Sequence, residues 1–400
     1  MSGPDLLLTL LALPVLAAAA YLAGLALLAR HRPPPPAGSG PRFDVIVPAH
    51  DEERGVGATV RSLLAVDYPG DLFRVVVVAD NCGDRTAEAA AAAGARVLVR
   101  QNPGRRGKGY ALAFAFDELG REAFADAFVV VDADSLVSAN LLGAFAARLQ
   151  AGALALQADY GVRNREASWR TRLLHVAFTL FHGVRSRGRE ALSLSCGLRG
   201  NGMAFARDLL RRVPYDAFSV VEDLEYGLRL GLAGVAVRYV GEASVVGEMA
   251  AAERASRPQR SRWESGRRAL ARQHGMPLLV RAIRERSALL LDLALDLLVP
   301  PFAPLVLVTL LGLIVSASGV AYGLGTTTAV VAWTASALAL SLYLARGWRD
   351  AGAGWRGLRD LVYVPGFILW KLRLARLEAG TSKRWVRTPR ETPAGGRAPD

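Results

Sequence analysis

Lysine is nearly missing from this chain: among 49 basic residues only Lys108, Lys371 and Lys383 are lysine, so almost all positive charge is arginine. That bias follows the base composition of a gene more simply than any chemistry, and each lysine stands out against it. Cysteine is as scarce. Cys82 and Cys196 lie far apart, with neither metal-ligand spacing nor a paired framework. Their pattern excludes a disulfide-stapled scaffold or a zinc module and fits a reducing compartment. Acid is the minority charge, with 36 Asp plus Glu leaving a net +13 that suits nucleic acid, anionic lipid or a phosphorylated substrate equally. No basic stretch precedes the first apolar run, which argues against the rival reading of a cleaved signal peptide that alanines 17–20 invite.

What is present in excess is apolar sequence, 52% of residues with a mean hydropathy of +0.23, high for a soluble enzyme. Residues 5–29, opening on Asp5, form a predominantly apolar run long enough, at about 1.5 Å per residue, to cross a hydrocarbon core of roughly 30 Å. Arg30, His31 and Arg32 follow, then prolines 33–36. The reading is a transmembrane helix over 1–30 and a stiff extended linker over 31–41. An amphipathic interfacial segment over 282–298 leads into two spans within 299–346. Arg281, Arg284 and Arg286 precede that hairpin, and Arg346, Arg349, Arg356 and Arg359 follow it. These flanks put the N-terminus outside and the region between the anchors on the cytoplasmic side of a plasma (inner) membrane. Residues 347–386, interrupted by Pro365 and Gly366, read as interfacial or as a broken fourth helix, and 387–400 as a disordered tail.

Between the anchors, residues 42–281 alternate apolar strands (FDVIVPAH, FRVVVVAD, ARVLVR, AFVVVDAD) with amphipathic helical segments such as ATVRSLLAV and TAEAAAAAG. That alternation predicts an α/β domain with a mostly parallel sheet covered by helices on both faces, ligands binding beyond the carboxyl ends of the strands. Those ends carry acid: His50-Asp51-Glu52-Glu53, Asp80-Asn81 and Asp132-Ala133-Asp134. Asp132 and Asp134 could bind a divalent cation bridging two phosphates, or Asp134 and Ser135 could cap the helix containing Leu141 and Leu142. Asp80 and Glu52 are placed to hold a nucleoside, whereas Asp84 before the alanine-rich helix reads as a cap. Lys108 lies between Gly107 and Gly109 at a helix start, either a phosphate contact or a plain loop, without Walker spacing. Glu222 and Asp223 open the helix EDLEYGLRLGLAG, where acids suit the dipole; a sugar transfer would use one of them, Asp223, as general base. Gln259, Arg262 and Trp263 fall on a strongly basic helix, which suits a membrane surface or, through Arg262, a pyrophosphate.

Taken in order, PAHDEE, VVADNCGDRT, RGKGYAL, VDAD, VEDLE and QRSRW resemble the membrane-bound family 2 glycosyltransferases, the group that includes cellulose, chitin, hyaluronan and poly-N-acetylglucosamine synthases. The resemblance covers residues 42–275, with a late WVRTPRE besides. It implies a GT-A fold, a mixed Rossmann-like sheet, between N- and C-terminal transmembrane helices. It also implies a nucleotide-sugar donor, Mg2+ or Mn2+, and inversion at the anomeric carbon. Glu52 and Asp80 would hold the nucleoside; Lys108 and Asp132 would contact ribose or phosphates. Asp134 would bind metal, with Asp132 beside it, and Asp223 would be the base. Gln259, Arg262 and Trp263 match Q-x-x-R-W, which in the family shapes the pyrophosphate and acceptor sites. Asp51 stands where the family usually has Asn. Ser195 to Phe205 (SCGLRGNGMAF) occupies the acceptor-loop position in a different form, so Gly200, Asn201, Gly202 and Glu222 are read as acceptor-side residues without implying a glucan.

Two enzyme readings follow, a polysaccharide synthase and a transferase acting on a membrane lipid. A membrane-tethered nucleic-acid binder would explain +13 but turns the acidic strand ends toward the wrong polymer, so no nucleic-acid partner is expected. An inactive scaffold would have lost Asp134, Asp223 or Arg262, and all three are present.

Overall fold

The computed structural model describes residues 1–30, 40–249 and 253–363, with backbone only at 253–262. Most of the proline linker, the segment after 363 and the side chains of Gln259 and Arg262 lie outside the described residues.

The chain begins with α1 (Gly3–Leu28), then enters a sheet through β1 (Phe43–Ala49), α2 (Val56–Leu64), β2 (Phe73–Asp80), α3 (Thr86–Ala92), β3 (Arg96–Arg100), α4 (Lys108–Glu122) and β4 (Ala127–Val130). β1, β2 and β4 are rich in valine and buried nearly end to end, as strands covered on both faces should be. Successive side chains divide between two cores. Val45 and Val47 pack with α2, while Ile46, Val76 and Val78 pack with α4. All four strands are parallel, with Ala49 beside Ala79 and Ile46 beside Val130. The ends of β1, β2 and β4 therefore open on one edge.

The second half of the sheet departs from the mostly parallel expectation. After β5 (Ser135–Val137) and α5 (Leu141–Gln150) come β6 (Ala155–Val162), α6 (Trp169–Phe178), a π-turn (Thr179–Val184), α7 (Arg185–Ala191), β7 (Met203–Ala206), α8 (Arg207–Arg212), α9 (Glu222–Leu232) and β8 (Val237–Gly247). The order across the sheet is β3-β2-β1-β4-β7-β6-β8-β5, and β7 runs antiparallel to both β4 and β6. This reversal positions the site: because β7 starts where β4 ends, with Met203 opposite Val130, residues 200–202 arrive at the acidic edge. The capping alternative for Asp134 and Ser135 is corrected here. Ser135 opens β5, and α5 begins only after Asn140.

Beyond β8, the long α10 (Glu253–Glu285) and α11 (Ala288–Leu298) fold back on α9 through Leu228, Leu270, Leu278 and Leu293. Then come α12 (Phe302–Ala321), α13 (Thr327–Asp350) and the short α14 (Gly354–Asp360). Among the described residues α1, α12 and α13 are long and apolar enough to cross a membrane. α1 lies along α13 through small residues that permit close approach, Ala18, Ala19 and Ala26 against Leu340 and Tyr343. The Asp5 carboxylate accepts the Ala329 N–H at 2.9 Å, a negative group at a helix start where backbone donors are otherwise unpaired.

Candidate active site

The shared edge of β1, β2 and β4 is a cleft of about 220 Å3 lined by His50, Glu52, Asp80, Arg106, Lys108, Asp132 and Asp134. Two sharp turns form its rim. Asp51 and Asn81 both adopt left-handed backbone (φ 54° and 52°), a conformation that short polar side chains tolerate. The Asp51 carboxylate accepts the Gly83 N–H at 2.7 Å and so ties the β1 turn to the β2 turn. An asparagine would offer the same oxygen, which explains why Asp can stand at this position. Arg85, not Asp84, stands at the cap position of α3; Asp84 lies one residue earlier and accepts from the N–H of Thr86 (3.0 Å) and of Glu53 (3.1 Å), bracing the helix start against the β1 turn. Asp51, Cys82 and Asp84 approach within 4.8 Å as possible metal ligands, but the two carboxylates are already building these turns.

Asp80 ends β2, buried and paired with Arg100, whose guanidinium donates to Oδ1 at 2.5 Å; Asn81 donates to the same oxygen at 2.9 Å. His50 Nδ1 lies 2.7 Å from the Asp80 carbonyl, a further bridge between the two strand ends. Lys108 begins α4. Gly107 before it has a φ of 129°, and a side chain on Gly109 after it would strike the Ala217 carbonyl, so both glycines are required by geometry. Lys108 Nζ donates to Asp132 Oδ1 and, at 2.5 Å, to the Gly200 carbonyl. Burial would push the Lys108 ammonium toward neutrality, but Asp132, Glu222 and Asp223 outweigh it and raise its pKa.

The loop before β7 connects the cleft to α9. Gly200, at φ 80°, sits so close that a β-carbon there would lie 3.3 Å from Asp223 Oδ2 and 3.8 Å from Lys108 Nζ. Asn201 is buried, with both ends of its amide engaged: Oδ1 accepts the Asp132 N–H (3.1 Å) and Nδ2 donates to Ser135 Oγ (2.7 Å). Gly202 backs onto Val245 and Ala158. Of these three, only Gly200 faces the carboxylates, while Asn201 and Gly202 buttress the Asp132–Ser135 turn. Glu222 and Asp223 occupy the first turn of α9, where burial raises both carboxyls, Glu222 to about 7 with Asp223 adding to it. α10 crosses this turn so closely that a side chain at Gly266 would meet Val221 at 2.8 Å. Trp263, 41% exposed, lies one helical turn earlier; Gln259 and Arg262 belong to the same helix.

The sequence reading missed Tyr160, Arg100 and Arg199. Tyr160 is half-buried near Asp132 and Asp134, and desolvation together with those two carboxylates pushes its pKa up. Tyr160 lies in the second half of β6, a strand without a motif, and only the sheet order brings it here.

Asp132 and Asp134 supply the hard oxygen donors that Mg2+ or Mn2+ prefers, and no third protein ligand stands with them in the described residues. That donor set fits a cation whose shell is completed by substrate phosphates and water. Lys108 engages Asp132, and the Ser135 hydroxyl donates to Asp134 Oδ1 at 3.3 Å.

A mixed sheet with this strand order, acids at the parallel edge and an antiparallel return into the site, flanked by apolar helices, defines a GT-A domain. Consistent with this, the chain matches the family model described as "Glycosyltransferase like family 2" over residues 41–266, and it belongs to that family. It is similar to a probable glycosyltransferase, YdaM, of Bacillus subtilis, 24% identical over 237 residues that cover 56% of this chain and 55% of that protein. It is also similar to a beta-monoglucosyldiacylglycerol synthase of Synechocystis, 29% identical over 235 residues covering 56% and 48%. The chain thus spans about half the length of the curated relatives it matches. A mannosyltransferase from Pyrobaculum calidifontis, solved with GDP-Man and Mn2+, shares the fold with a TM-score of 0.53 at 22% identity, covering 83% of this chain and 98% of that one.

Proposed function

We propose that the protein is an inverting, metal-dependent transferase moving a sugar from a nucleotide-sugar, taken here as a UDP-sugar, to an acceptor at the cytoplasmic face of the plasma membrane. The observation that carries this reading is the juxtaposition across Gly200: Lys108 and the Asp132/Asp134 pair on one side, Asp223 with Glu222 on the other. Glu52 and Asp80 would hold the nucleoside. Lys108 and Asp132, with Arg262 and Gln259 from α10, would face the diphosphate, and Trp263 would wall the acceptor side. Asp134, with Asp132 behind it, would hold Mg2+ or Mn2+, whose chemistry is to offset charge on the diphosphate.

Transfer forms a bond from the acceptor oxygen to the anomeric carbon while the bond to the diphosphate oxygen breaks, the electron pair leaving with the nucleoside diphosphate. Asp223 takes the hydroxyl proton, and its raised pKa brings it nearer to the range of an effective base. Attack opposite the leaving group inverts the carbon. The arginines flanking the membrane helices support a cytoplasmic cleft and an external N-terminus. Q-x-x-R-W supports polymer synthesis. The lipid-acceptor reading is supported by the three candidate spans among the described residues and by the likeness to a protein named as a diacylglycerol-lipid synthase.

Purified full-length protein should release nucleoside diphosphate from a UDP-sugar in a Mg2+- or Mn2+-dependent way. Asp223→Asn should lower turnover by about 10²–10⁴-fold with UDP affinity retained. Unchanged turnover in that variant removes Asp223 as base, and sizing the product separates polymer from single addition.

A further inference from the structure

Behind the acceptor loop, where α7, α10 and α11 meet the end of α1, lies a buried group of charges that sugar transfer as derived above does not use. Asp296 is held by Arg185 (2.6 Å) and Arg189 (2.8 Å), and Arg189 also reaches Asp292 (3.2 Å) and the Tyr21 hydroxyl of α1 (2.7 Å). Arg267 of α10 donates to the carbonyls of Asp296 and Val299. Arg199, on the acceptor loop one residue before Gly200, donates to the Cys196 carbonyl at 2.7 Å. Of these four guanidiniums, Arg185 and Arg189 pair with the two carboxylates and Arg199 and Arg267 meet backbone carbonyls, so within this group of described residues two positive charges are in excess.

The excess is concentrated at one ring. The guanidinium carbons of Arg199, Arg185 and Arg267 stand 4.2, 4.9 and 5.8 Å from the centroid of Phe181, in the π-turn. Arg185 and Arg199 are 5% and 9% exposed, and the Nε of each is buried without a hydrogen-bond partner among the described residues. Like charges gathered out of water around an aromatic face repel one another, so an added anion would stabilise the arrangement. Burial depresses the pKa of Arg199, and that of Arg267 to about 10, in keeping with an unmet demand for negative charge. Phe181 and Arg267 are half-buried rather than sealed. Gly188 of α7 fits against the backbone of Leu25, which fixes the cluster beside the last turns of α1, the first candidate span. π-turns recur at functional sites, and here one carries the ring on which the arginines converge.

We infer that Arg199, Arg185 and Arg267, gathered around Phe181, bind the phosphate of an anionic membrane lipid, which is thereby held as the acceptor with its hydroxyl toward Asp223. Guanidinium forks match phosphate oxygens, and the chain step from Arg199 to Gly200 links the phosphate site to the carboxylate that would take the proton. The acceptor role rests on the proposed transferase function; the phosphate site does not.

The test uses full-length protein in neutral detergent, incubated with phosphatidylcholine vesicles containing or lacking phosphatidylglycerol, with lipid retained after detergent exchange measured by native mass spectrometry. Retention of phosphatidylglycerol should persist at about 0.5 M salt, because a buried site is screened far less than a basic surface. Arg199→Gln combined with Arg267→Gln should lose about tenfold or more, while Arg199→Lys, which keeps the charge and guards against misfolding, should lose less. Retention that vanishes with salt, or is equal in the double variant, overturns the site. Displacement by equimolar inorganic phosphate overturns its assignment to a lipid. In the transfer assay phosphatidylglycerol should be used about tenfold better than diacylglycerol, and equal use overturns the acceptor role. UDP titration of the same samples keeps the readings apart: nucleotide binding without lipid retention removes this inference alone, and lipid retention without nucleotide binding removes the transferase reading.

Discussion

On the donor side of the cleft, charges are matched by near neighbours in the chain. Asp80 is answered by Arg100, twenty residues away, and Asp132 by Lys108, twenty-four away. On the membrane side the matching spans most of the protein: Arg189 to Asp292 across 103 residues, Arg185 to Asp296 across 111, Arg189 to Tyr21 across 168. The donor side keeps several carboxylates half-open to solvent, the membrane side buries arginine in excess. The first arrangement suits a cationic or phosphate ligand that comes and goes. The second joins the catalytic domain to a membrane helix, and its ion pairs therefore carry architecture as well as charge.

The sharpest way to break that contrast is to remove Arg189, 1% exposed and bonded to both aspartates and to Tyr21. Arg189→Met leaves the buried Asp292 without its ion-pair partner, while Asp296 keeps Arg185, and should cost about 3–5 kcal/mol, read as a lowered melting temperature in detergent. Adding Asp292→Leu removes that stranded charge and should recover a large part of the loss. Melting unchanged in the single variant would mean that the junction is held by apolar packing alone, and that the two regions differ less than their charges suggest.

That difference in sequence distance also decides what could be read in advance. The strands beginning at Phe43 and Phe73 announce themselves by valine runs, and the acids at Asp80, Asp132 and Asp134 by lying where those runs stop. Lys108 stood out as a rare lysine between two glycines, and the structure gives each glycine its reason. Asn201 was visible as part of a loop but not as the clamp on the Asp132 turn, because that contact depends on β7 running antiparallel beside β4, which no local pattern encodes. Arg199 was hidden for the opposite reason. In a chain with so many arginines one more carries no signal, and only the meeting of α7, α10 and α11 shows that its position is special.

A smaller effect is expected at Lys108, and it tests whether the donor side is built for phosphate. Lys108→Met should weaken UDP binding by about 10–100-fold while leaving uridine affinity nearly unchanged, since a hydrogen bond to a charged group contributes roughly 1.5–3 kcal/mol. Isothermal titration with both ligands checks it. If uridine weakens in parallel, the lysine serves instead to fix Asp132 and Gly200, its partners in the structure, and the donor side becomes as architectural as the membrane side.

The smallest effect sits on the border between the two regions, at Glu222. Its carboxyl is raised from 4.5 to about 7, first by burial and then by Asp223. A carboxyl raised in the folded state binds its proton more tightly there than in the unfolded chain. Its contribution to stability is therefore fully present below about pH 4.5 and is lost as pH rises through 7. Glu222→Gln cannot titrate, so it should match the wild type near pH 5 and exceed it at pH 8 by about 1–3 kcal/mol. Thermal unfolding at the two pH values measures the difference. A variant that is no more stable at pH 8 would show that Lys108 already neutralises the buried acid, which would extend the locally matched charges of the donor side as far as α9.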